Sequence, residues 1–429
     1  MTAALLAFNK RTFASLRGSR NYRLYFLGQA VSQTGTWIDK VAQAWLVLAL
    51  THSAVAVGIL AACQFVPFSV FGLLGGVVVD RLDAWKTVVW TQAIRMVLAG
   101  TLAGIVLAGA IQVWMVYALA LLTGTVLVLD APSRQQLTFR MVGREELPNA
   151  VALNSSLFNA ARIVGPGIGG VLIAGLGVGP AFAVDAASFV AVLAGLLVMD
   201  PSALVATAGR RRQQTLFGGL REGLAYARRS PHVRLLLTML IAISTIAMNF
   251  NVLLPVLARH TLQSGPGIFG LVAACFGGGA LVGGLLSAAL GRASWKVIVA
   301  AAGGLGLTEL VLAPQRSLVP AVLLLFVAGV CFTLYTSNSN AILQLRAPDH
   351  LPGRVIGFYY FAFNGLAPLG GILTGWLAAR GGTELAFGVA GGTTALVALA
   401  ALPQLARVRA SEPGRAPQTE LPSEAAEAV

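Results

Sequence analysis

Apolar residues in this chain run in long blocks rather than alternating. Blocks of roughly 20 residues or more, each enough to cross a bilayer core as a helix, occupy 22–50, 54–79, 87–109, 112–132, 151–176 and 180–199. Six more follow at 234–258, 267–290, 297–314, 318–340, 355–378 and 384–403. A transmembrane β-barrel would show short alternating segments instead. The pattern predicts an all-α membrane protein with twelve transmembrane helices.

The longest polar interruption, 201–233, separates the sixth block from the seventh. Within it Leu216, Leu220, Leu224 and Ala227 recur at helical spacing among arginines, which predicts an amphipathic helix on the membrane surface. The two sides of this linker echo each other. "GGVVVDRLDAWK" (75–86) returns weakly as "GGLLSAALGRASWK" (283–296). Pro148 and Pro166 have counterparts in Pro352 and Pro368, in the same order. The chain therefore divides into a basic N-terminus (1–21), a six-helix half (22–200), the linker (201–233), a second, pseudo-symmetric half (234–405) and a tail (406–429). The tail is rich in Pro, Glu and Ala and is expected to be disordered. Paired halves in a helical membrane protein point to alternating access, one half rocking against the other.

Composition agrees with the pattern: 57% hydrophobic, 11% charged, mean hydropathy +0.78. The net charge of +14 invites a nucleic-acid reading, but its distribution opposes one. Of 30 Lys and Arg, 24 fall on the side carrying both termini, and only Arg259, Arg316 and Arg380 on the other. That asymmetry predicts cytoplasmic termini and basic loops that set topology and touch anionic lipid. No cleavable signal peptide is expected, since the first block is too long for one. Cys63, Cys275 and Cys331 are isolated and the four histidines scattered, so neither disulfide nor metal nor other cofactor is implied. No nucleophile–base arrangement or phosphate-binding loop is visible, which argues against an enzyme.

Several strings carry a resemblance to a known family: "NYRLYFLGQAVSQTGTW", "GGVVVDRLDAWK", "LDAPSRQQL", "LPNAVALNSSLFNAARIVGPGIGG" and "DAASF". Over 20–405 the chain resembles the major facilitator superfamily, and within it the bacterial efflux branch of enterobactin-exporter-like and Tap-like multidrug exporters. The resemblance implies that Gly75, Gly76, Asp80, Arg81 and Lys86 form a conformational latch for the outward-facing state. The basic run after Arg81 is thinned here, and the second copy has Ser287 in the stretch where the acid belongs. Asp130 and Arg134 join that charge network by resemblance, with Asp130 reaching Arg81 or Arg134; a helix-end cap with a surface pair is the alternative. Gly165, Pro166, Gly169 and Gly170 match the core of a signature of exporting, proton-coupled facilitators. The upstream glycines of that signature are replaced by Ala161 and Arg162. Physically, Pro166 kinks the helix and the glycines permit close packing.

Charges inside the blocks are expensive in hydrocarbon and face partners or a wet cavity. They are Asp39, Lys40, Arg95, Arg162, Asp185 and Glu309. Asp39 and Lys40 are about 100° apart on a helix and do not pair well with each other. Asp39 lies past the midplane, and an Asp39–Arg162 pair is expected as the proton-coupling site. Arg95 is expected to reach the cytoplasmic face, while Asp185 and Glu309 are expected in structural or interfacial roles. Cavity candidates are Gln29, Gln33, Thr36 and Lys40 on one helix stripe, with Gln43, Asn154, Asn159, Asn249, Asn251, Asn338 and Asn364. Trp37, Phe65, Phe158, Tyr359, Tyr360 and Phe361 could supply apolar contacts.

The reading is a secondary active transporter in the bacterial inner (cytoplasmic) membrane, monomeric. It would export an amphipathic small molecule, a drug or a secreted metabolite such as a siderophore, in exchange for protons. An importer or lipid flippase of the same fold, or a non-transporting sensor, are the alternatives.

Overall fold

The computed structural model of the chain describes residues 13–79, 81–205, 226, 228–290, 293–346 and 352–410. Asp80, the predicted surface-helix positions Leu216, Leu220, Leu224 and Ala227, and the predicted tail from 411 onward lie outside the described residues. The elements are α1 (Ala14–Gly18), α2 (Arg20–Thr51), α3 (Ala54–Val79), α4 (Ala84–Leu107), α5 (Val113–Leu176) and α6 (Val178–Leu197). There follow α7 (Pro231–Ile246), α8 (Phe250–Val256) with a π turn at Leu257–Thr261, α9 (Pro266–Ala289) and α10 (Trp295–Leu312). Last come α11 (Leu318–Arg346), α12 (Pro352–Asn364) and α13 (Ala367–Ala410). Among the described residues there is no strand, as expected where lipid cannot satisfy an open sheet edge.

Nine helical stretches among the described residues are long and apolar enough to cross a membrane. Helix α2 is not one of them, because Asp39, Lys40 and several glutamine, serine and threonine residues interrupt its apolar run. Gln29, Ser32 and Gln43 of α2 are buried, so its polarity faces protein rather than lipid. Helix α5 is continuous for 64 residues except at Gly143, where φ is +74°. At about 1.5 Å per residue it would extend roughly 96 Å if straight, some three times the hydrocarbon core of about 30 Å. The left-handed residue turns the chain there, and only glycine does so without strain. Gly382, with φ +66°, breaks α13 in the same way.

Local signals start the helices. Ser19 Oγ accepts from the Tyr22 N–H at 3.1 Å to cap α2, and Pro231 and Pro266 open α7 and α9 at their first turns. Asp83 Oδ1 accepts from the Lys86 N–H at 2.9 Å and caps α4. Its other oxygen is 2.9 Å from Arg140 Nη1 of α5. Partial burial pushes the Asp83 carboxyl up, but the Lys86 N–H and the Arg140 guanidinium outweigh it, and its pKa falls below the usual 3.8. The depressed pKa has a definite sign. The cap and bridge stabilise at neutral pH and are lost as the pH falls through the folded-state value. Asp83→Ala is expected to cost about 1 kcal/mol, the typical worth of an N-cap, measured as a shift of the unfolding midpoint in detergent.

Packing joins the helices in a consistent order. Helix α2 packs on α5 and α6, α4 on α5 and α6, α9 on α11, and α10 on α11 and α13. Between these groups α5 meets α9 and α3 meets α13. Both crossings use glycine to bring backbones together. A Cβ on Gly170 of α5 would lie 2.8 Å from the Gly270 Cα of α9, and one on Gly375 of α13 2.6 Å from the Ala54 carbonyl oxygen of α3.

Candidate functional site

A cavity of about 350 Å³ lies where α2, α3, α5, α7, α8, α9, α11 and α12 converge. Its wall is largely apolar and includes eight aromatic side chains. Phe250 and Phe276 stack with centroids 4.3 Å apart, Phe332 meets Phe276 edge-on at 5.6 Å, and Trp37 meets Phe158 at 5.7 Å. The polar groups in the lining are few: Lys40, Gln64, Arg162, Ser244, Asn249, Asn251 and Asn364. The Lys40 ammonium lies 4.3 Å from the Trp37 ring centroid. The Arg162 guanidinium is held among rings, 5.1 Å from Phe276, 5.3 Å from Phe332 and 6.0 Å from Trp37.

A second cavity of about 20 Å³ sits among α2, α4, α5 and α6, lined by Asp39, Gln43, Arg95, Thr123 and Asp185 with Leu98, Leu102 and Phe189. That volume holds about one water. Asp185 is buried, and its Oδ1 has no hydrogen-bond partner. The two cavities are connected by side chains. Gln64, in the wall of the large one, donates to Gln43 Oε1 at 3.1 Å. Gln43 in turn donates to Asp39 Oδ2 at 2.8 Å.

Below the small cavity is a buried charge network. Arg95 is 6% exposed. It donates to Thr36 Oγ1 at 3.1 Å, covers the Phe189 ring at 4.8 Å and comes within 3.7 Å of Asp130 Oδ2. Arg134 approaches the same oxygen at 3.0 Å, while Asp130 Oδ1 accepts from Thr91 at 2.7 Å and Gln92 at 2.9 Å.

Several expectations are corrected by this geometry. Asp39 and Arg162 do not pair. The turn of about 100° between Asp39 and Lys40 sends Asp39 toward α4 and α6 and Lys40 toward the large cavity, where Arg162 also lies. Arg95 does not reach a membrane face, because Asp130 and Thr36 hold it inside. Asp185, expected in a structural or interfacial role, is buried and lines the small cavity with Asp39. Of the two partners expected for Asp130, the structure places Arg134 beside it, with Arg95 in addition, and Arg81 is exposed. The α2 stripe divides along its length. Gln29 accepts from Arg134 at 3.3 Å and Thr36 from Arg95, Gln33 lines neither cavity, and Lys40 alone reaches the large one.

Phe158, Asn249, Asn251 and Asn364 line the large cavity, and Gln43 the small one. Asn154 instead accepts from the Tyr22 hydroxyl at 3.0 Å, and Asn338 ties Ser287 of α9 to the Ser294 N–H at the start of α10. Asn159 bonds the Ser155 carbonyl of its own helix. Glu309 is fully buried in α10, reaches neither cavity, and neither carboxyl oxygen has a hydrogen-bond partner. The glycines of "GPGIGG" serve close packing: Gly165 lies against Trp37, Gly169 against Ile38 and Gly170 against Gly270. Gly75 and Gly76 fall within α3, and Lys86 is exposed in the first turn of α4. Sequence reasoning missed Gln64, Ser244 and the Phe250–Phe276–Phe332 wall, for which an aromatic in an apolar block is no signal. It also missed the Asp83–Arg140 bridge, although an Asp just before a helical block is a readable cap. Among the described residues no group of three or more His, Cys, Asp or Glu is placed to hold a metal.

Membrane-crossing helices converging on an aromatic, sparsely polar cavity define a multi-pass membrane transporter. Solved structures share the fold: a POT family transporter in complex with 5-aminolevulinic acid (TM-score 0.72, 11% identity, covering 91% of this chain and 97% of that one) and the nucleoside transporter NupG (TM-score 0.69, 12% identity, 90% and 99%). The chain matches the transmembrane secretion effector family over residues 10–429. It belongs to that family, in the bacterial efflux branch of the major facilitator superfamily, and is a transporter rather than an enzyme. Relatives include macrolide efflux protein A of Streptococcus pyogenes, 24% identical over 375 residues (85% of this chain, 92% of that protein). The multidrug efflux pump Tap of Mycolicibacterium fortuitum is 27% identical over 363 residues (82% and 88%).

Proposed function

We propose that this chain exports an amphipathic small molecule, a drug or a secreted metabolite such as a siderophore, by alternating access coupled to proton entry. Two six-helix halves, 22–200 and 234–405, would rock about the large cavity. The count of twelve crossings follows if α5 and α13 each cross twice around their glycine breaks and α2 crosses despite its polarity. The basic face, with both termini, would be cytoplasmic by the positive-inside rule. The protein would act as a monomer in the bacterial cytoplasmic membrane. The glycine contacts at Gly170–Gly270 and Ala54–Gly375 lie toward the opposite face, which fits a state open to the cytoplasm. By resemblance, Gly75, Gly76, Asp80, Arg81, Lys86, Asp130 and Arg134 would latch the other state.

The observation that carries coupling is the Gln64–Gln43–Asp39 chain of hydrogen bonds between the cavities. Of the three carboxyl groups around Arg95 (Asp39, Asp130, Asp185), Asp39 is the one connected to the substrate cavity, and it would be the one to carry a proton. Substrate displacing Gln64 would disturb Gln43 and so the hydrogen bond to Asp39. Arg162 would act in the substrate cavity rather than as partner of that acid. The test is flux in proteoliposomes for a panel of cationic, neutral and anionic amphiphilic dyes, with an imposed proton gradient and with a protonophore. Asp39→Asn is expected to abolish gradient-driven accumulation while leaving dye-for-dye exchange intact. Full gradient-driven transport by Asp39→Asn would remove Asp39 from the mechanism, and no flux of any dye by the wild-type chain would favour a sensor.

A further inference from the structure

The large cavity has an uncompensated sign. Two cationic side chains line it, Lys40 from α2 and Arg162 from α5, and no carboxylate does. Neither makes a salt bridge among the described residues; the partners of both are aromatic faces. The nearest acid along the chain, Asp39, lines the other cavity, beside Arg95, and accepts from Gln43. Ring faces offset part of the cost of a desolvated cation. They do not replace a counter-charge, and buried cations ordinarily have one.

From this we infer that the transported molecule is an acidic amphiphile. It would carry a carboxylate, sulfonate, phosphate or ionised phenol for Lys40 and Arg162, on an apolar, ring-sized body for the Phe250–Phe276–Phe332 wall. The inference rests on the transporter reading above and narrows its substrate. The geometry suits such a ligand. Arg162 presents a planar fork that an oxyanion can engage in two parallel bonds, and Lys40 a point charge. Rings beside both half-buried cations lower the local dielectric, which strengthens a charge pair, and the apolar wall lets shape select the body. A cationic amine in the same space would meet two like charges and no acceptor stronger than an amide or hydroxyl oxygen. The relatives named as macrolide and multidrug pumps are separate proteins, and their substrates do not decide the sign of this cavity.

The test uses the full chain in nanodiscs of neutral phosphatidylcholine. Three naphthalene fluorophores on one skeleton carry a sulfonate, an uncharged sulfonamide or a trimethylammonium group. The sulfonate is expected to bind at least about tenfold tighter than the ammonium, in keeping with the weight of a desolvated charge pair. Lys40→Gln and Arg162→Gln should each weaken the sulfonate about tenfold and leave the sulfonamide unchanged. Lys40→Arg and Arg162→Lys should keep the preference for the anion. Inorganic phosphate and phosphatidylglycerol are competition arms. Failure of either to displace the sulfonate at matched concentration supports an amphiphile, and displacement by either overturns it in favour of a free anion or a lipid headgroup. Equal or tighter ammonium binding, no sulfonate binding, or an unchanged preference in the Lys40→Gln/Arg162→Gln double variant also overturns the inference. Flux of the same dyes separates the two readings. Ammonium transport would sink the acidic substrate and keep the transporter, whereas sulfonate binding without flux would do the reverse.

Discussion

Asp130→Ala is expected to destabilise the protein by about 3–5 kcal/mol, the cost of breaking a buried ion pair by removing one partner. Asp130 is fully buried. Its loss strips Arg134, at 3.0 Å, and Arg95, at 3.7 Å, of their closest carboxylate. It also leaves the Gln92 amide without its acceptor, while the Thr91 hydroxyl keeps only the Val88 carbonyl. The remaining acids near Arg95 belong to the small cavity, so Arg95 would be drawn toward Asp39 and Asp185 and the coupling site would change with the fold. Asp130→Asn keeps the shape and the acceptor and should lie between wild type and Ala. Replacing the pair together, as Asp130→Leu with Arg95→Met, should cost less than the two single changes added, because no orphan charge is left between those two positions. Denaturant unfolding in detergent measures all five variants, the two single changes included. A loss under about 1 kcal/mol for Asp130→Ala, the worth of an exposed pair, would show that water reaches the network.

Gly170→Ala is expected to reduce transport at least about tenfold by overpacking the α5–α9 contact, a defect that typically costs 1–3 kcal/mol. The added methyl would sit 2.8 Å from the Gly270 Cα and 2.9 Å from the Pro266 carbonyl oxygen. Both are backbone atoms, so no side chain can rotate away and the helices must separate. Gly270→Ala meets Gly170 from the other side, also at 2.8 Å, and should behave alike. The control lies in the same motif: a Cβ on Gly167 has nothing within 4 Å, so Gly167→Ala should transport normally. Flux, together with labelling of a cysteine introduced beside the contact, reads both effects. Normal transport by Gly170→Ala would mean that the contact is not held closed during the cycle.

Much of the architecture was legible because a bilayer restricts the choices. An apolar run too long for a soluble core helix and lacking water to satisfy its backbone becomes a helix. The break within α5 at Gly143 fell where a polar stretch already predicted a connection. The "GPGIGG" string announced close packing correctly, since glycine at a helix interface leaves few other uses. Helix α2 was harder. Its hydropathy does not mark it as a crossing, and its Gln29, Ser32 and Gln43 are buried against protein.

The small cavity shows where reading along the chain stops. Asp39, Arg95 and Asp185 lie far apart in sequence on three helices, and each helix has a rotational phase that only its neighbours set. With that phase unknown, Arg95 was equally free to reach a membrane face and Asp39 equally free to meet Arg162. By itself the sequence determined the helical membrane class, the family and the inventory of charges inside apolar blocks. Only the tertiary structure decided which charges share a cavity. Packing of α2 against α4, α5 and α6 turned Asp39 to one side and Lys40 to the other. The cost of an unpaired charge in low dielectric then set Arg95 and Arg134 against Asp130, whereas the neighbours of Arg162 are rings.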